Sequence, residues 1–174
     1  MNFFFKIILI LLFFFKLTVL NANEKYVYVD MDLLVNTSVA GKQISFELSK
    51  MHKKKLEELK KIEEELKKGE SAIVTQKNVI SKEEFDKKLS VLRKKANNYQ
   101  KERNASTKSL SEKRIKATKD LLNLIQPILT KYASDNSISI IFQKKAIVIG
   151  ITESDITSQV LKILNTKHKK IVIK

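Results

Sequence analysis

The residues able to do chemistry are few and poorly placed for it. His52 sits in "MHKKK" and His168 in "KHKK", far apart in the sequence. Neighbouring ammonium groups repel a metal ion, so both imidazoles read as solvated surface groups rather than ligands. Glu63, Glu64 and Glu65 lie in "KKIEEELKK", with lysines three and four positions away. On a helix that spacing forms ion pairs, which accounts for these acids better than a catalytic acid–base couple. No phosphate-binding loop, nucleophile motif or metal-ligand spacing occurs. The chain therefore reads as a non-enzyme, with no catalytic, cofactor-binding or metal residues and no cofactor.

What remains is charge and apolar surface. Lys and Arg number 34 against 19 Asp and Glu, a formal net charge of +15. Between residues 43 and 116 the basic residues outnumber the acidic by 21 to 12. Lys53, Lys54, Lys60 and Lys61 belong to this stretch. Such a surplus keeps a helix surface soluble. It also attracts an acidic polypeptide, an acidic lipid headgroup or a nucleic acid from a distance. DNA binding in vitro follows from charge alone.

The first residues argue against nucleic acid as the physiological partner. "MNFFFKIILILLFFFKLTVLNA" has an early lysine, an apolar run over 7–15 and small Ala22, the layout of a cleavable secretory signal. Lys16 cuts the apolar stretch below the roughly 20 residues a spanning helix needs. Residues 1–22 are thus expected to direct export and be removed near Ala22, rather than to anchor the chain. Six of the nine Phe and two lysines would go with them. The chain has no cysteine. Without disulfides, stability must come from packing or oligomerisation.

The positioning elements follow from periodicity. Residues 39–135 contain only Gly41, Gly69 and Pro127 as breakers, which suits long helices. A first helix begins after Asn36, Thr37 and Ser38, any of which can cap it. Leu59, Ile62, Leu66, Gly69, Ile73, Gln76 and Ile80 recur by threes and fours, the seam of a coiled coil. Ser81 and Glu84 then have the spacing of a capping box, with Ile80 and Phe85 as its staple. A second helix carries Phe85, Leu89, Leu92, Ala96 and Tyr99 in the same rhythm. Its seam turns polar at Arg103 and Ser106 and recovers at Ala117, Leu121, Leu124 and Ile128. Two long helices joined by a short turn form an antiparallel hairpin. It is expected over residues 46–124, with its tip near 78–82. The seam residues should pack within the hairpin. The surface left for a client is its flank: Ile44, Leu56 and Val91, with Lys53, Lys54, Lys60 and Lys61.

The chain ends supply a body. Tyr26, Val27, Tyr28 and Val29 read as a strand apolar on both faces, and Asp30 can cap a helical turn over 31–35. The runs Ile138–Phe142 and Ala146–Ile151 read as two strands of a hairpin around Gln143, Lys144 and Lys145. Asp155 or Thr157 can cap a last helix, and "KKIVIK" reads as a final strand. The expected fold is α+β and mostly helical, a long helical-hairpin arm inserted in a small β-rich oligomerisation body of residues 23–45 and 125–174. Its strands hold Tyr26 to Val29, Ile138, Ile140, Ile141, Phe142, Ile147 and Ile149. A lone hairpin is marginal in water, so neighbouring subunits are expected to share the sheet.

Four stretches in order carry a family resemblance: "YVDMDLLVNTSVAGK" at 28–42, "SKEEFDKK" at 81–88, "PILTKYASDNSISIIFQKKAIVIG" at 127–150 and "DITSQVLKILN" at 155–165. Together they resemble the Skp/OmpH family of periplasmic chaperones. The resemblance implies a homotrimer whose β-rich body carries three helical hairpins around a cavity. There, unfolded outer-membrane proteins are kept from aggregating without ATP on their way to the outer membrane. It brings no catalytic residues. "KKIVIK" has no counterpart in it, and no lipopolysaccharide-binding cluster can be matched. The alternative is a structural coiled-coil envelope adaptor or spacer with a folded partner. The polar midsection around Arg103–Leu110 favours a flexible arm over a spacer.

Overall fold

The computed structural model describes residues 24–173, so the expected signal segment lies outside the described residues. Strand β1 (Lys25–Val29) leads into helix α1 (Met31–Thr37), capped by Asp30, whose carboxylate accepts the Leu33 N–H at 2.8 Å. Helix α2 (Val39–Gln76) starts at Ser38, whose buried hydroxyl accepts the Gly41 N–H at 3.1 Å. Gly41 is required there. A Cβ on it would fall 1.7 Å from the Val35 carbonyl oxygen, so α1 and α2 could not meet as they do.

Helix α3 (Lys82–Asp135) begins at Ser81, whose hydroxyl accepts the Glu84 N–H at 3.2 Å. At 38 and 54 residues, α2 and α3 are about 57 and 81 Å long. They pack against each other as the antiparallel arm. The expected break between them, and Ser81 as the second start, are both found. Beyond α3, Ser137 adopts a φ of 51°, a left-handed step that turns the chain into β2 (Ile138–Gln143).

β1 and β2 form a two-stranded parallel sheet, with Tyr26 opposite Ile140 and Tyr28 opposite Phe142. The register slips between Lys25 and Tyr26. Ile138 thereby turns inward while Ile140 and Phe142 turn outward. The inner face, Val27, Val29 and Ile138, packs with Leu34, Ala40, Ile44, Leu48, Ala117, Leu121, Ile125 and Ile128. Helix α4 (Thr157–Lys167) closes this core with Val160 and Leu164. The body is thus mainly helical, built from the bases of both arm helices.

Three expectations are corrected here. The run 146–151 is not a strand. Single 3-10 turns, Lys144–Ala146 and Thr152–Ser154, bracket it, and Val148 and Ile149 are 97% and 92% exposed. Ile147 is half-buried. The segment pairs with neither strand: β2 pairs only with β1, in parallel, and its other edge is open among the described residues. The chain returns to β1 where the Tyr28 carbonyl accepts the Ile156 N–H at 3.0 Å. Secondly, β1 is buried on one face only. Tyr26 is exposed and Tyr28 half-buried, because no second layer covers the outer face. Finally, 168–173 has no regular structure, although Ile171 is buried.

Candidate functional site

Between residues 49 and 109 the arm contributes nothing to the buried core cluster. Its seam lies where the periodicity put it. Leu59 and Ile73 are buried, while Ile62, Leu66, Phe85, Leu89 and Leu92 are half-buried between α2 and α3. Half-burial is what two helices can achieve without a third to cover them. Near the tip, Gly69 lets the helices approach closely, since a Cβ there would lie 3.0 Å from Leu92 Cδ1. Alongside is an open groove of about 740 Å³. Ala72, Ile73, Val91 and Leu92 form its apolar floor; Glu65, Glu84, Lys87, Lys88 and Lys95 form its rim.

Midway the arm is held by charge instead. Lys55 Nζ lies 3.3 Å from Glu58 and 3.2 Å from Glu102 on the other helix. The hydrogen bond to Glu102, then that to Glu58, raises the Lys55 pKa. Glu63 pairs with Lys67 at 2.8 Å and also receives the Tyr99 hydroxyl at 3.5 Å. The Lys67 hydrogen bond holds its carboxyl below the usual range. The i to i+4 pairing expected for this acidic run is present in Glu63–Lys67. A second cavity, about 500 Å³, opens here between Leu59, Tyr99, Arg103 and Ser106. The polar seam positions leave the helices incompletely packed at this height.

On the flank, Lys53, Lys54, Lys60 and Lys61 are all exposed, and none makes an ion pair among the described residues. Leu56 and Val91 are each 52% exposed. Ile44 is different. It is 5% exposed and belongs to the body core, so its place on an open flank is withdrawn. The end of α4 meets the start of α2, where Asn165 Oδ1 accepts the Val39 N–H at 2.8 Å. Sequence reasoning missed other exposed apolar side chains. Phe46, Met51, Ile115 and Leu122 lie along the arm base, and Val74 and Val79 mark the tip. Ile115 and Leu122 are seven residues apart, as are Val39 and Phe46. That second heptad stripe beside the seam was the signal available.

His52 and His168 remain apart from any cluster of metal-ligating side chains among the described residues. On the body, Tyr26, Ile140 and Phe142 form an exposed apolar face, with Tyr26 and Phe142 rings 6.4 Å apart. The loop bearing Val148, Ile149 and Ile151 is also exposed. Its base is fastened by Asp155, which accepts the Thr157 N–H at 3.0 Å, the Thr157 hydroxyl and Lys144 Nζ at 2.9 Å. Burial pushes the Asp155 carboxyl up, but the bonds from Thr157 and Lys144 prevail and leave its pKa lowered.

A long two-helix arm rooted in a small body with a two-stranded sheet defines the class of fold. The chain belongs to the OmpH-like outer membrane protein family, which its sequence matches over residues 25–164. The fold agrees with the crystal structure of a Caulobacter crescentus CB15 protein, given as a candidate OmpH-like outer membrane chaperone. The TM-score is 0.82 at 18% identity, covering 86% of this chain and 88% of that one. Among curated proteins, none matches significantly.

Proposed function

We propose that this protein is an ATP-independent holdase of the periplasm, binding unfolded outer-membrane proteins and keeping them from aggregating until they reach the outer membrane. The observation that carries this reading is the arm surface. Apolar side chains that a folded partner would need in one compact patch are instead spread along a rod, near Lys53, Lys54, Lys60 and Lys61, which make no ion pair among the described residues. Many weak contacts of that kind hold a chain without imposing a structure on it, and their number supplies the affinity. The family membership supports it, as does the outer-membrane chaperone assignment of the Caulobacter protein. Export by residues 1–22 is part of the same reading.

The active form is proposed to be a homotrimer. The uncovered sheet face and the loop 147–151 would find their partners in neighbouring copies, which removes exposed edges. The deciding experiment is an aggregation assay with several unfolded β-barrel proteins at matched salt. Suppression at stoichiometric trimer is expected. Failure with every client would replace this reading by that of an envelope adaptor with a folded partner.

A further inference from the structure

The segment after α4 lies outside the residues that match the family, yet it is tied to the root of the arm. Ile171 is 8% exposed and joins the core, and Ile173 packs against it. Between them Val172 points to solvent. The Ile171 N–H donates to Gln43 Oε1 at 2.9 Å. Gln43 stands one turn into α2, and the first N–H of that helix, on Val39, is bound by Asn165 from the end of α4. The end of α4 and the segment beyond it therefore grip the first turns of α2 at two successive points.

We infer that residues 168–173 are a strap that fixes the root of α2 to the body and so sets the angle at which the arm leaves it. A helix emerging from a small core is a lever, and restraint matters most at its fulcrum. Ser38, Gly41 and Val35 define the fulcrum from one side, through the tight α1–α2 junction. The strap adds a second tie, at Gln43. A segment held by Ile171 and Ile173 and by the bond from the Ile171 N–H to the Gln43 side chain is well suited to this task. It adds restraint where the helix begins and leaves the outer arm free. This inference stands whether or not the arm carries clients.

The test exploits the absence of cysteine from the chain. The pair Ser71→Cys and Ser158→Cys places one dye on the arm and one on α4. Labelled protein is diluted into excess unlabelled protein, and single-molecule energy transfer reports the arm angle within one subunit. Amide exchange over residues 39–48 is followed in parallel. Ile171→Ala and Gln43→Ala should each shift and broaden the distance distribution in protein that keeps its helical content. They should also speed exchange in 39–48 by about fivefold, as expected for one lost neutral hydrogen bond. Val172→Asp should change neither. A passive core filler would lower the melting temperature without altering the distribution of the folded protein, and that result overturns the inference. If Ile171→Ala unfolds the body, Gln43→Ala decides on the same two readouts.

Discussion

At the residue scale, two side-chain positions carry more than their size suggests. Gly41 permits the α1–α2 junction by having no Cβ near the Val35 carbonyl. In Gly41→Ala, alanine's better helix propensity returns up to about 1 kcal/mol. Forcing the backbone apart at a buried junction costs about 3 kcal/mol, so the clash wins. Urea unfolding followed by circular dichroism should show a midpoint clearly below that of the parent. Asp155 governs acid stability locally. Its folded pKa is lowered, so the stability it contributes is present above the unfolded value of about 4 and disappears as pH falls through the folded one. The melting temperature should therefore fall below about pH 4, and Asp155→Asn should flatten that part of the profile while lowering the plateau near neutrality. A profile unchanged by the substitution would show that the Thr157 and Lys144 contacts contribute nothing to stability.

At the element scale, the sequence is most legible where one local rule decides. Scarce breakers and a steady heptad foretold both long helices, and Ser81 with Glu84 marked the break between them. It is least legible where an apolar run needs a partner that sequence does not name. Ala146–Ile151 has strand composition but pairs with no strand among the described residues, leaving the outer edge of β2 open. Ile44 continues the arm's helical pattern, but at that level α2 is already part of the body core with Leu48, Leu121, Ile125 and Ile171, which sequence spacing alone does not reveal. The Lys55–Glu102 pair marks residues at equal height on the two helices. Residues 56–101 can accordingly be replaced by a short glycine-rich linker at equal height. Every residue of the body core stays in place, since Leu48 and Ala117 lie on the body side of the cut. The shortened chain should melt cooperatively and sediment as the same oligomer as the parent. Loss of the oligomer would make the arms part of the assembly.

At the scale of the whole molecule, the proposed holdase function implies that charge and apolar surface act on different steps of client holding. Lys53, Lys54, Lys60 and Lys61 are exposed and unpaired among the described residues, so their field reaches into solvent instead of being cancelled locally. Exposed charges are screened over about 8 Å at 0.15 M salt. Their main effect is on the encounter, by drawing an acidic chain toward the arm. Phe46, Leu56, Val91 and Ile115 act only on contact, and salt does not weaken their burial. Raising ionic strength should thus slow capture of an unfolded barrel protein more than it speeds release. Replacing the four lysines by Gln should lower the capture rate at low salt and bring it near the parent's high-salt rate, with release and oligomeric state unchanged. Leu56→Ser with Val91→Ser should do the reverse, hastening release at every salt concentration. Stopped-flow fluorescence with a labelled client separates the two rates. If the lysine variant released clients faster while capturing them at the parent's rate, the ammonium groups would be holding the client rather than gathering it.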